Sequence, residues 1–235
     1  MSTIADHLDV FASGFWLTLQ LCLLSAVGAL IIGTLMAVMR ISPVPPLRAV
    51  GTAYVTVFRN IPLTIVFFFS AFGLPALGSN ADFLRIPGLT SLFDRLGIDL
   101  PYFRFAIIAL SLYTGAFICE ALRAGINAVP TGQAEAARAI GLTFGQNLRF
   151  VVLPQAWKAA VVPLGSVIIA MIKNSALAGF FGVVGDLSNS GYSLITVQGE
   201  PAIPVMIGIS IFYLILTVPL GVLLDQIEKR RAVAR

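Results

Sequence analysis

The chain has 235 residues, 58% of them hydrophobic and only 11% charged, with a formal net charge of +4. A mean hydropathy this positive excludes an ordinary soluble domain, and the lack of a soluble basic face excludes a nucleic-acid binder. Two cysteines inside apolar stretches and a lone histidine, His7, argue against a disulfide framework and a metal site.

The first residues include Asp6 and Asp9 with no basic segment, and the apolar run that follows is too long for a signal-peptide core, so it reads as a retained span. About 20 apolar residues cross a bilayer as a helix. Five stretches meet that requirement: 14–39, 61–77, 103–122, 159–181 and 202–224. Segment 47–58, bracketed by Arg48 and Arg59, either lies at the interface or extends the second span inward. Residues 79–102, with Pro87, Gly88, Gly97 and Pro101, form the longest outer loop. The run Phe67, Phe68, Phe69 and Phe72 is read as core packing and lipid contact.

Basic residues set the orientation. Arg40, Arg48, Arg59, Arg123, Arg138, Arg149 and Lys158 follow the first and third spans, and Lys229, Arg230, Arg231 and Arg235 form the tail. The opposite loops hold Arg85, Arg95 and Arg104, diluted by Asp82, Asp94, Asp99, Asp186 and Glu200. The expected topology puts the N-terminus outside and the C-terminus in the cytoplasm.

The polar interval before the fourth span has its own pattern. Ala134, Ala137 and Gly141 fall at i, i+3 and i+7, one helical stripe of tiny side chains. Thr131 or Gly132 is the expected cap after Pro130, Glu135 is assigned to the first turn, and Gly141 is placed to end the helix in a left-handed turn. Ile140, Leu142 and Phe144 beside Arg138, Gln146 and Arg149 suit an amphipathic element docking in a partner's groove, although an ordinary connector between spans has the same makeup. No G-x-x-x-x-G-K-[ST] sequence occurs, so the chain has no phosphate-cradling loop and any ATP must act elsewhere.

Glu135-Ala136-Ala137, three residues, Gly141, nine residues, Val151, one residue, then Leu153-Pro154 resembles the EAA signature of permease subunits of bacterial ABC importers. Val151 replaces the usual isoleucine. Phe58-Arg59-Asn60-Ile61-Pro62-Leu63, Phe72-Gly73-Leu74-Pro75, Glu120 through Ile126, Gly132-Gln133-Ala134 and Ile172 through Ala178 extend the resemblance to the polar amino acid branch, which includes glutamate, glutamine, histidine, arginine and opine permeases. With the EAA loop these stretches cover roughly two-thirds of the chain. Its overall texture is most like actinobacterial glutamate-uptake permeases.

The resemblance implies an all-α membrane protein of about five transmembrane helices with the type I importer (MetI-like) fold, a single permease domain over 1–235 with a cytoplasmic coupling loop at 125–156. It implies no enzyme activity, and no cofactor in this chain: ATP and Mg belong to two partner ATP-binding subunits. A second permease, paralogous or identical, and an extracytoplasmic binding protein complete the expected assembly in the bacterial plasma membrane. Glu135, Ala136, Ala137, Gly141, Leu153 and Pro154 are the implied ATPase-coupling residues. An ion-gradient transporter or channel subunit is the alternative from another class; glutamine, aspartate or a basic amino acid is the alternative cargo. Ile61 and Ala176 depart from many relatives near the substrate path and leave the cargo open.

Lys173 lies within the fourth span, where an ammonium costs at least roughly 2.5 to 3.5 kcal/mol, so it is expected to face water or a counter-charge. With Asn174 and Ser175 it suits the carboxylate of an amino acid; pairing with another chain's acid or snorkelling to the interface serves equally. Asn60 and Pro62 are expected to break the second span and expose backbone toward the path. Glu120 is read as an i,i+3 partner of Arg123, and Arg59 as an interfacial anchor.

Overall fold

In the computed structural model, residues 2–76 and 101–233 are described. The expected outer loop therefore lies largely outside the described residues, as do Asp82, Arg85, Asp94, Arg95, Asp99 and Arg235. No strand occurs among the described residues.

Helix α1 (Ser2–Asp6) leads into α2 (Leu8–Ile41), whose 34 residues make the first span longer than its apolar core. Pro45 and Pro46 then suit the first turn of α3 (Pro45–Asn60), because their missing N–H groups would find no partner there anyway. At Ile61-Pro62 the chain bends by 104° into α4 (Leu63–Phe68), a wide π turn (Phe69–Gly73) and α5 (Leu74–Ala76). The break at Asn60 and Pro62 is where the sequence puts it. Segment 47–58 is thus helical but not a straight prolongation of the second span. At 1.5 Å per residue, the stretch from Leu63 to Ala76 is roughly 21 Å long and falls short of a full crossing by itself. Four helices are long and apolar enough to cross a membrane, or up to five if the bent pair counts as one.

Helix α6 (Pro101–Asn127) is followed by α7 (Thr131–Ala139), α8 (Phe144–Asn147), a second π turn (Leu148–Val152) and α9 (Leu153–Asn174). A 3-10 segment (Ser175–Phe181), α10 (Leu187–Thr196) and α11 (Ala202–Val233) complete the described chain. The fourth apolar helix runs from Phe144 to Phe181, so it begins inside the interval read as loop. Both π turns have one physical cause. Pro75 and Pro154 cannot donate to the carbonyls of Ala71 and Phe150, and their rings push those carbonyls away, so the turn widens just upstream.

The most apolar window of α6 is 61% buried, against 11% for α11, which makes α6 the axis of the bundle and α11 a peripheral helix. Close approach of α2 to α6 relies on small residues: a Cβ on Gly33 would meet Ile118 at 2.6 Å and the carbonyl of Gly115 at 2.8 Å. The main core joins Leu21, Phe67, Phe103, Leu110 and Met171. Phe67 stacks on Phe181 at 5.5 Å, while Phe68, Phe69 and Phe72 remain exposed, the division expected of this run. Cys22 and Cys119 are buried free thiols.

At the far end of the bundle from α7, Asp186 clasps α10 to the spans. Its Oδ1 accepts from the Asn189 amide at 2.7 Å as an N-cap, and the next amide, Leu187, donates to Thr18 of α2 at 3.0 Å. Burial disfavours the charged carboxylate and pushes it up to about 7, against backbone hydrogen bonds from Asn189 and Gly179 that favour ionisation. A carboxyl raised in the folded state holds its proton more tightly there than in the unfolded chain. Stability is therefore expected to rise as pH falls from about 7 toward 4, by at most roughly 1.4 kcal/mol per unit, and to be lost above that window. Asp186→Asn keeps a cap acceptor and should flatten the Tm profile between about pH 5 and 8; an unchanged slope would discount this carboxyl.

Candidate functional site

The interval between α6 and α9 folds into a compact element on the end of the bundle. Pro130, rather than Thr131 or Gly132, takes the cap position of α7, and no side chain caps it; Thr131 and Gly132 are its first helical residues. Glu135 consequently sits in the second turn, not the first. The C-terminus matches expectation in detail: Gly141 has φ +87°, its amide donates to Arg138 O at 2.9 Å, and the Leu142 amide reaches Ala137 O at 3.1 Å. This 6→1 and 5→2 pair is a Schellman motif, and the left-handed residue at its centre is one that glycine adopts without strain.

Of the small-residue stripe, Ala134 and Ala137 are turned inward, whereas Gly141 is exposed. Ala137 is buried, and the carbonyl of Ala134 accepts from Asn147 Nδ2 at 2.9 Å, so α7 packs on the chain's own α8. Glu135, Ala136 and Arg138 of α7 face outward, with Ile140, just past its end, 79% exposed and Phe144 67% exposed. Leu153 and Pro154, the two residues directly after the second π turn, are also exposed. Large apolar side chains this open on a polar loop suit a contact surface. Thr143 and Gln146 hold α8 in place through a capping box, Gln146 N–H to Thr143 Oγ1 at 3.4 Å and Thr143 N–H to Gln146 Oε1 at 2.9 Å.

Glu120, near the same end, does more than pair along its own helix. Its carboxylate meets Arg123 at 3.4 Å, but also Arg59 of α3 at 3.3 Å and, on the closest contact, Arg40 of α2. One acid thus ties three helices together. Arg59 is corrected from a plain interfacial anchor to a member of this cluster, with its guanidinium 5.9 Å from the Phe117 ring centre.

The expected substrate-path residues separate. Lys173 is exposed on α9, and Asn174 lines a cavity of about 220 Å³ with Tyr113, Thr114 and Phe117. Asn174 and Arg59 therefore share Phe117. Asn60 is exposed, although its amide folds back to Thr56 O at 2.6 Å, and Pro62 is exposed at the bend. Ser175 does not line this face. It is fully buried, donating to Ile172 O at 2.7 Å and accepting from Cys22 at 3.4 Å, because it lies one turn on from the buried Met171 and Ile172, across the helix from exposed Lys173.

Sequence reading missed the cross-helix part of the Glu120 cluster, the capping box and α10. Thr143-x-x-Gln146 and Asp186 before Leu187 were local signals for the last two. No local pattern marks the first, since Arg40, Arg59 and Glu120 are far apart in sequence.

Comparison with known proteins bears on this arrangement. The model of the family described as binding-protein-dependent transport system inner membrane component matches residues 29–233. The chain is 41% identical to the glutamate transport system permease protein GluC of Corynebacterium glutamicum, over 100% of both chains. It is 37% identical to the probable glutamine ABC transporter permease protein GlnM of Bacillus subtilis, covering 98% of this chain and 97% of that one. Among solved structures it resembles a chain of an amino acid ABC transporter crystallised with histidines, at 30% identity and a TM-score of 0.82 over 97% of each.

Proposed function

The chain belongs to the family of binding-protein-dependent transport system inner membrane components, and from that premise we propose that it moves glutamate inward by alternating access. It is a multi-pass permease subunit of a plasma-membrane amino acid ABC importer; it is not an enzyme, and the ATPase is a separate subunit. Family membership displaces the ion-gradient transporter and channel readings.

The proposed working unit pairs this chain with a second permease, a paralogue in preference to an identical copy, beneath an external binding protein and above two ATP-binding subunits. The N-terminus is outside and α7 is cytoplasmic, as the basic residues of the inner loops favour. ATPase closure acts on Glu135, Ala136, Ile140 and Phe144, with Gly141, Leu153 and Pro154 setting the shape of that surface. Ala137 contributes from beneath by seating α7 on α8. The observation that carries this reading is the exposed apolar rim of a Schellman-terminated helix at the end of a membrane bundle.

Glutamate rests on the end-to-end similarity to a glutamate permease, with glutamine the closest competing cargo. Uptake by the assembled transporter of labelled glutamate, challenged with excess glutamine, aspartate or arginine, tests it. Competition by glutamine stronger than by unlabelled glutamate would reassign the cargo.

On the substrate face, Lys173 supplies positive charge and Asn174 an amide, with Asn60 and Pro62 at the mouth of the bend. Lys173→Gln is expected to raise the KM for glutamate about tenfold, the loss of one charge-assisted contact. An unchanged KM would remove Lys173 from the path.

A further inference from the structure

Two adjoining cavities lie where α2 and α6 end and the loop element begins. The outer one, about 330 Å³, is walled by apolar groups that include Val38, Ala156 and Trp157. The inner one, about 550 Å³, contains Asn127, Thr131, Arg138 and Asn147. Ile41, Ile126 and Leu148 line both, so a wholly apolar chamber gives onto one that adds a few polar groups to an apolar wall, across shared side chains.

Ile41 and Asn127 are the last residues of two membrane helices, which sets this boundary at the level of lipid headgroups. Trp157, 59% exposed, has the amphipathic ring that favours that level.

Asn147 narrows the occupant. It is 6% exposed and lines the inner chamber; its Nδ2 is committed to Ala134 O, which fixes the amide's orientation. Its Oδ1 is buried and accepts from no described residue. A buried acceptor without a donor is costly, so the chamber suits a molecule that brings one. Arg138 on the same wall suits an anionic group, and the outer chamber suits a hydrocarbon chain.

We propose that these two cavities form a site for one glycerophospholipid of the adjoining leaflet. Its acyl chain fills the outer chamber, its phosphate meets Arg138, and an N–H or O–H donor of its headgroup satisfies Asn147 Oδ1. The lipid then lies directly beneath α7, between the contact helix and the spans.

Phosphatidylethanolamine and phosphatidylcholine separate the idea cleanly, because they carry the same net charge but only the first headgroup can donate a hydrogen bond. The intact transporter, with its ATP-binding subunits, is stripped of lipid and titrated with each; bound copies are counted by native mass spectrometry. Retention of phosphatidylethanolamine about fivefold above phosphatidylcholine is expected, about 1 kcal/mol of preference. Asn147→Leu should erase that preference. Val38→Phe, which fills the outer chamber from the span side without touching α7 or α8, should lower retention of both lipids. Equal retention of the two lipids, undiminished retention in Val38→Phe, or no retained lipid because another subunit covers the site would each overturn the proposal.

Discussion

Replacing Gly141 with valine is expected to cut amino acid uptake by the assembled transporter roughly tenfold, the equivalent of about 1.4 kcal/mol, while ATP hydrolysis continues and the permease stays in the membrane. The argument is conformational. Gly141 holds φ +87°, and a Cβ there would meet nothing within 4 Å, so crowding contributes nothing and the whole penalty is backbone strain. For an L-residue in the left-handed region that strain is roughly 1–2 kcal/mol, and more for a β-branched one. The Leu142 amide would leave Ala137 O, and Ile140 and Phe144 would lose their present spacing. Glu135→Ala should give the same uncoupling by another route, because Glu135 is exposed and its removal leaves the helix intact. Gly132→Ala is the matched control: it too has nothing within 4 Å, but it lies in regular helix, where alanine is favourable. Uptake and hydrolysis measured together in proteoliposomes decide the matter; normal coupling in both Gly141→Val and Glu135→Ala would sink the proposed role of α7.

That the C-terminal half of this helix could be read in advance, and its N-terminal half could not, has a physical basis. A left-handed C-terminus places a strict demand on one residue, and Gly141 meets it visibly. An N-terminus is satisfied by several residues or by water, so Thr131 and Gly132 were equal claimants on sequence alone and Pro130 took the position instead. Spans were legible for a similar reason: burying 20 apolar residues in lipid leaves a long uniform signature, and 103–122 and 202–224 fall within α6 and α11. The 104° bend was foreshadowed by Pro62, but its angle depends on how α3 lies over α2 and α6, which no local pattern encodes. Ser175 was assigned to the path because it follows Lys173 and Asn174. Its burial follows from helical periodicity, because it stands one turn on from the buried Met171 and Ile172 and across the helix from Lys173, so that neighbours in sequence point in different directions.

The second large effect is expected at Glu120. Glu120→Gln should lower the Tm of the detergent-purified permease by roughly 4–8 °C, corresponding to about 2 kcal/mol for a chain of this size. Removing the partner of a buried charge costs about 3–5 kcal/mol and of an exposed one about 0–1, and this carboxylate, 31% exposed, stands between those limits. Without it, three guanidinium groups from α2, α3 and α6 are left facing one another with nothing to neutralise them. The single-arginine variants should then rank by burial. Arg40, 14% exposed and in closest contact, should cost the most, whereas Arg59 at 46% and Arg123 at 31% should each cost below about 1 kcal/mol. A cross-helix clasp and a simple i,i+3 pair make opposite forecasts for this ranking, because the latter makes Arg123 the dominant partner and Arg40 neutral. Transport should fall along with stability, since Arg59 caps Phe117 on the wall of the Asn174 cavity and loses its anchor when Glu120 is neutralised. If Glu120→Gln melts with the parent protein, or if Arg123→Gln alone reproduces its loss, α3 is held by its packing against α2 and α6 and the carboxylate is dispensable to the fold.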